Sequence, residues 1–187
     1  MLLGQIHLTL PFWLQQLELE QPGYAEPTAQ MQLVVELARL NVEHGSGGPF
    51  GAAVFTSDGR LVGVGVNRVV PMNCSLAHAE IMAIMTAQQR LQCNRLNQLS
   101  ELHFVLASSA QPCCQCYGAC LWAGIDTLLI GARAEDVETL SGFDEGPLPE
   151  DWSGELERRG ITVHRDLLRQ EACEVLRDYA ARNGPTY

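Results

Sequence analysis

The sequence predicts an α/β protein, a three-layer α/β/α sandwich around a mixed sheet. Three observations carry this expectation. Strand-like apolar runs alternate with helical periodicities along the chain, in the order α-β-β-α-β-α-β-α-α-β-α. The first two strands are joined by Ser57-Asp58-Gly59-Arg60, whose Asp-Gly step makes a tight hairpin. The remaining strands are separated by helical segments, as parallel crossovers require.

Each element has its own warrant. Residues 1–27 hold Pro11, Pro22, Gly23 and Pro27 among apolar residues such as Phe12, Trp13 and Leu17. They read as an N-terminal extension packed on the body or on a partner subunit, and 28–187 read as a single domain. Thr28 is the expected N-cap of a helix over 29–44, where Met31, Val34, Val35, Ala38 and Val42 recur at helical spacing. Gly45-Ser46-Gly47-Gly48-Pro49 stops it. Strands are expected at 50–56 and 61–66, then a loop over 71–77 and a helix from His78 to about Leu91. A strand over 101–108, a short helix over 114–123 and a strand over 125–131 follow. Helical segments near 134–140 and 153–159, a strand at 161–164 and a terminal helix near 169–182 complete the chain. The turn-rich stretch 142–152 is long enough to read as functional.

The 187 residues suit one domain of ordinary size, and 47% apolar with 18% charged residues fits a packed fold. Twelve basic against 22 acidic residues give a formal charge of −10, which repels phosphate backbones and argues against a nucleic-acid partner. No apolar run reaches the roughly 20 residues of a membrane span. The N-terminus lacks a basic start and a small-residue cleavage site, so the expected compartment is the cytoplasm. Seven cysteines are an odd number, and Cys113, Cys114, Cys116 and Cys120 crowd together. In a reducing compartment that pattern signals metal binding or catalysis.

Three features then converge. His78-Ala79-Glu80 opens one helix, Pro112-Cys113-Cys114-Gln115-Cys116 opens another, and the two stand one crossover apart. Catalytic zinc takes three nitrogen or sulfur ligands and leaves the fourth position to water. His78, Cys113 and Cys116 supply three. Cys113 and Cys116 are spaced to present both sulfurs from one helical turn. His78 and Glu80 cannot share a helix face, but in a first turn one side chain can bind metal while the other flanks the bound water. Both helices would point their positive ends at the ion. Zinc lowers the pKa of its water towards about 7, and Glu80 can take that proton and return it to a substrate. The bland alternative is a closed zinc knuckle. It needs a fourth ligand, and Cys114 points the wrong way to be one. Together the motifs fit the H-x-E…P-C-x-x-C pattern of zinc deaminases.

These residues resemble the cytidine deaminase-like zinc superfamily. Gly48-Pro49-Phe50-Gly51-Ala52-Ala53-Val54-Phe55, Asn67-Arg68-Val69, Ala77-His78-Ala79-Glu80-Ile81 and Pro112 to Ala119 are similar to its guanine deaminase branch. Gly142 to Pro147, Asn183-Gly184 and Tyr187 resemble a bacterial subgroup of that branch. The resemblance implies a five-stranded mixed sheet, one Zn2+ per chain, a homodimer and hydrolysis of guanine to xanthine and ammonia. It implies His78, Cys113 and Cys116 as zinc ligands and Glu80 as the proton shuttle beside zinc-bound hydroxide. It also implies Asn67 as a hydrogen-bonding partner of the base and Glu145 as a second acid that serves the leaving amine. Phe50 and Phe143 would pack on the ring, and Ala79 and Pro112 would border it. Gln111 departs from the Glu that many relatives carry before the Pro-Cys pair.

Read without the resemblance, Asn67 is a turn residue, Glu145 a solvated loop charge, and Phe50 and Phe143 core. The competing activities are deamination of cytosine or of an aminotriazine, and of adenosine in tRNA. The last needs a basic surface, whereas the terminal helix mixes Arg169, Glu171, Glu174, Arg177 and Asp178. The non-enzymatic alternative is a zinc-stabilised binding module, which would have no use for Glu80.

Overall fold

The protein is described by a computed structural model covering residues 4–17 and 23–187. What the sequence suggests for residues 1–3 and 18–22, Pro22 included, lies outside the described residues.

The described helices are α1 (Phe12–Gln15), α2 (Pro27–Glu43), α3 (Val69–Met72), α4 (Ala79–Leu91), α5 (Cys114–Ala123), α6 (Ala134–Ser141), α7 (Trp152–Glu157) and α8 (Arg169–Ala181). The strands are β1 (Gly51–Thr56), β2 (Leu61–Val66), β3 (Phe104–Ala110), β4 (Thr127–Ala132) and β5 (Thr162–His164). They form one five-stranded sheet in the order β2-β1-β3-β4-β5. Strand β1 runs antiparallel to β2 and β3, while β3, β4 and β5 run parallel.

Both faces of the sheet are covered, so its strands read as apolar runs whose alternate residues serve different cores. Ala53, Phe55, Ala107 and Leu129 face the layer that holds α2, α6 and α8. Ala52, Val54, Leu106, Leu128 and Ile130 face the opposite layer, with Ala83 and Ile84 of α4, Cys120 of α5 and Leu156 of α7. The expected three-layer sandwich with a five-stranded mixed sheet is the architecture observed.

Helix α4 lies directly on the backbone of β2. A Cβ at Gly65 would stand 2.1 Å from the Ala79 carbonyl oxygen and 2.4 Å from the Ala83 nitrogen. Only glycine permits this approach, and it fixes the start of α4 against the end of β2. The ends of β2, β3 and β4 and the start of β1 meet along one edge of the sheet, where crossovers of this kind place their clefts.

Four of the boundary differences from expectation have a local physical reason. Helix α2 starts at Pro27 with Glu26 as N-cap, not at Thr28, because proline at the first helical position fixes a helical φ and needs no donor. Strand β3 begins at Phe104 rather than at 101. Leu102 is apolar for another reason: it packs against the α4-side core from a turn closed by its own N–H on Leu99. Strand β4 starts two residues late, where its parallel register pairs Thr127 with Val105. Residues 69–72 form a helical turn instead of entering a loop at Pro71. Asn73, left-handed at φ 48°, ends that turn.

Candidate active site

Two helix starts make the metal side of the site. His78 is the N-cap of α4, with extended dihedrals of −69° and 156°. That conformation turns its ring away from the helix while its carbonyl accepts from Met82. Glu80 sits in the first turn and is buried. Cys113 is the N-cap of α5 in the same manner, with Cys116 inside the first turn. His78 Nδ1 lies 3.5 Å from the Cys113 sulfur and 3.6 Å from the Cys116 sulfur, and the three ligand atoms all fall within 4.8 Å of one another. Tetrahedral zinc with bonds of about 2.3 Å to sulfur and about 2.0 Å to nitrogen needs nitrogen and sulfur about 3.6 Å apart. The donor set and its spacing therefore fit zinc.

Among the described residues, no other His, Cys, Asp or Glu joins this group. Cys114 is exposed, and its sulfur faces the loop after α6, 2.6 Å from where a Cβ of Gly146 would stand. A protein donor that could close the cluster into a knuckle is therefore missing from it.

The rest of the cavity comes from distant segments. Its walls are Phe50 and Asn67 at the sheet edge, His78, Ala79 and Glu80 of the α4 start, Gln111 and Cys113 before α5, Phe143 to Glu145 of the loop after α6, and Tyr187. Asn67 is almost fully buried. Its side-chain oxygen accepts from Gly48 N at 3.3 Å and from Val69 N at 3.2 Å. The Phe50 and Phe143 rings meet edge to face at 5.1 Å, and Phe143 meets Tyr187 at 4.9 Å. The loop is pinned where the Glu145 carbonyl accepts from Cys114 N at 3.0 Å. Gly146 serves that contact, since its φ of +67° and the nearby Cys114 sulfur both exclude a side chain.

The structure thus brings Asn67, His78, Ala79, Glu80, Cys113, Phe50, Phe143 and Glu145 to one cavity, with Cys116 buried beside His78. Pro112 is not part of the cavity wall; its neighbours Gln111 and Cys113 are. Sequence reasoning gave no place to Asp144 or Tyr187 and treated Gln111 only as a departure. Tyr187 is 43% exposed as a residue, yet its ring faces inwards, 6.4 Å from the His78 ring. The resemblance at Asn183, Gly184 and Tyr187 marked that segment without giving it a role.

The electrostatics follow from the geometry. The Cys116 thiol donates to Cys113, and this bond, with help from the His78 ring, pulls the Cys113 thiol down to about 4 against the effect of burial. Burial, reinforced by the Cys113 thiolate, raises Glu80 above the usual carboxylate range. Burial, then Cys113 and Glu80, push Glu145 up to about 8. Burial also raises the Tyr187 phenol, which hydrogen-bonds with Asn67.

An α/β/α fold that presents His, Cys, Cys and a buried glutamate at two helix starts defines a zinc-dependent aminohydrolase. Residues 26–132 match the cytidine and deoxycytidylate deaminase zinc-binding region, and the chain belongs to that family. Guanine deaminase of Bacillus subtilis is 32% identical over 140 residues, 75% of this chain and 85% of that protein. The structure of guanine deaminase from Nitrosomonas europaea is 47% identical, covers 97% of this chain and 99% of its own, and superposes with a TM-score of 0.90. The structure of NE0047 in complex with 2,6-diaminopurine is 49% identical, covers 97% and 95%, and has a TM-score of 0.90.

Proposed function

We propose that this protein hydrolyses guanine to xanthine and ammonia. The observation that carries the reading is a single cavity where a zinc-fitting His78–Cys113–Cys116 cluster, a buried Glu80 and an amide-and-aromatic wall meet. The guanine deaminases among the relatives support the choice of base. The acidic chain, at −10, disfavours the tRNA alternative.

His78, Cys113 and Cys116 would hold the zinc. When bound, the ion would supply the Lewis acidity that makes water nucleophilic near neutral pH. Glu80 receives the proton of the attacking water and returns it to the ring nitrogen beside the reacting carbon. Glu145, buried on the loop after α6, delivers a proton to the departing amine, ammonia leaves, and the hydroxyl proton released as the new carbonyl forms restores the acid. Asn67 orients the ring through its amide, Phe50 and Phe143 cover it, and the Ala79 backbone borders the reacting carbon. Phe143, Glu145 and Tyr187 line the cavity around the ring.

We also read the protein as a cytoplasmic homodimer. Its seven cysteines are free, as a reducing compartment would keep them. No helix among the described residues is long and apolar enough to cross a membrane. Helix α5 carries no charged residue and leaves Trp122 79% exposed, a surface suited to a second copy. Sedimentation that yields a single species of twice the chain mass would support this.

An ammonia-release screen over guanine, adenine, cytosine, cytidine and aminotriazines, with zinc measured on the same sample, tests the activity. Release from guanine with about one zinc per chain is expected. Turnover of another ring with guanine inert would overturn the choice of base.

A further inference from the structure

We propose that the N-terminal segment is a positioning device for the base-binding wall: Trp13 and Thr9, acting through Ser46 and Arg68, set where Asn67 stands. This inference rests on the role given to Asn67 above.

The core of the device is Asn41, in α2 and completely buried. Its Nδ2 donates to the Gly48 carbonyl at 2.8 Å and to the Asn67 carbonyl at 2.9 Å, tying two separate loops together. Gly48 in turn donates its N–H to the Asn67 side chain. Asn67 is therefore gripped at both its main-chain and its side-chain oxygen. The Asn41 side-chain oxygen accepts from Ser46 Oγ at 2.7 Å. Ser46 Oγ then accepts from Trp13 Nε1 at 3.0 Å. The bonds run in one direction from Trp13 to Ser46 to Asn41 to Asn67, with the Ser46 hydroxyl accepting the first and donating the second.

A second tie runs in parallel. Arg68, adjacent to Asn67 and buried, donates from Nε to the Thr9 carbonyl at 3.2 Å and from Nη1 to the Ser46 carbonyl. A buried guanidinium needs such acceptors, and one of them comes from the N-terminal segment. Apolar contacts seat the segment: Leu14 packs with Leu37 and with Val66, the residue before Asn67. The Trp13 ring also stacks on His44 at 5.3 Å and 12°.

The segment at 45–48 needs this outside support. Gly45, Gly47 and Gly48 leave Ser46 as its one side chain, so its backbone has much conformational freedom to lose. It also rests directly on the site: a Cβ at Gly47 would lie 1.8 Å from the Asn67 carbonyl oxygen, and one at Gly48 would lie 2.8 Å from the Tyr187 hydroxyl. Loosening Trp13 or Ser46 loosens the seat of Asn67. The zinc ligands and Glu80 stand at the starts of α4 and α5, and the side-chain bonds of the relay do not reach them. Trp13, Ser46 and Asn41 are positioning residues, and their loss should move ring binding more than turnover.

The test uses the zinc-loaded full chain, guanine kinetics, calorimetric binding of 8-azaguanine and thermal melting. Trp13→Phe keeps an aromatic, if smaller, ring but removes the N–H. Ser46→Ala breaks the relay, and Ser46→Thr restores a hydroxyl. The first two should raise KM and Kd about three- to tenfold, the effect of about one hydrogen bond, with kcat within about twofold. Ser46→Thr should recover most of the loss. In an Asn67→Ala background, Trp13→Phe should add nothing. If Asn67→Ala weakens 8-azaguanine binding while Trp13→Phe and Ser46→Ala leave KM and Kd unchanged, the device is refuted alone. It is refuted equally if the Trp13→Phe effect persists in full beside Asn67→Ala, or falls on kcat and melting temperature only. An Asn67→Ala variant that binds 8-azaguanine normally overturns the role of Asn67 and the device with it.

Discussion

The two sides of the cavity are built differently. On the metal side, His78, Glu80, Cys113 and Cys116 lie in the first turns of two helices, each fixed by local geometry. On the base side, Phe50, Asn67, Phe143, Glu145 and Tyr187 come from four separate stretches of chain and meet through long-range contacts. The first side is a short sequence pattern placed by capping. The second is an assembly that exists only when the whole molecule is folded. Damage on the metal side should therefore strike the chemical step, while damage on the base side should spread over binding, proton delivery and stability.

The sharpest test is Glu80→Ala. It should lower kcat about 10³-fold or more, the range of a lost proton shuttle, with zinc content and 8-azaguanine binding retained. Loss of zinc alongside activity would make Glu80 part of the metal holder and blur the contrast. Glu145→Gln comes next. Glutamine keeps the shape and can still donate a hydrogen bond, but it cannot pass a proton. We expect kcat to fall about 10²-fold with KM little changed; an unchanged kcat would remove Glu145 from the chemistry.

Gly65→Ala probes the platform below the metal side. Its Cβ meets backbone at 2.1 Å, so α4 must shift. Denaturant unfolding should reveal a loss of about 1–3 kcal/mol, with weaker zinc retention in a chelator challenge. The smallest effect concerns the support of the base-side loop. Asp136 of α6 pairs with Arg169 of α8 at 2.7 Å, and chiefly this pairing lowers the Asp136 carboxyl below its ordinary value of 3.8. A depressed carboxylate contributes stability above its unfolded pKa and loses it as pH falls through the folded one. Asp136→Asn should therefore cost about 0.5–1 kcal/mol at pH 7. The gap from the parent should narrow as pH falls below 3.8 and close once Asp136 is protonated in the folded state, as both are unfolded over a pH series.

The same contrast explains what could be read from the sequence. The metal cluster was legible because its spacing is local: the sulfurs stand three positions apart, the imidazole and carboxylate two. The sheet was legible because both faces are buried and the Asp-Gly turn punctuates it. Strand β3 was misplaced because Leu102 is apolar for packing rather than pairing. Asn67 and Glu145 could be named only through resemblance, since nothing next to either residue marks it as more than a turn or a loop charge. Tyr187 was missed because a tyrosine 109 residues away from His78 gives no sign that the two rings approach. Residues 9–14 stayed without a role because Trp13 reaches Ser46 across 33 positions.

Asn67 stands in the cavity wall with its amide fixed in one sense. Its side-chain oxygen is already committed to the amides of Gly48 and Val69, and an NH2 in that place would face two donors. The group therefore cannot be turned over to suit a different visitor. It can only give protons, never accept them. With Asn67 in the role proposed for it, a ring with a keto oxygen or a bare nitrogen at that edge would find a match, whereas one with an amino group there would meet hydrogen against hydrogen. Discrimination between oxo and amino purines would then be built into the polarity of one amide, set before any ligand arrives.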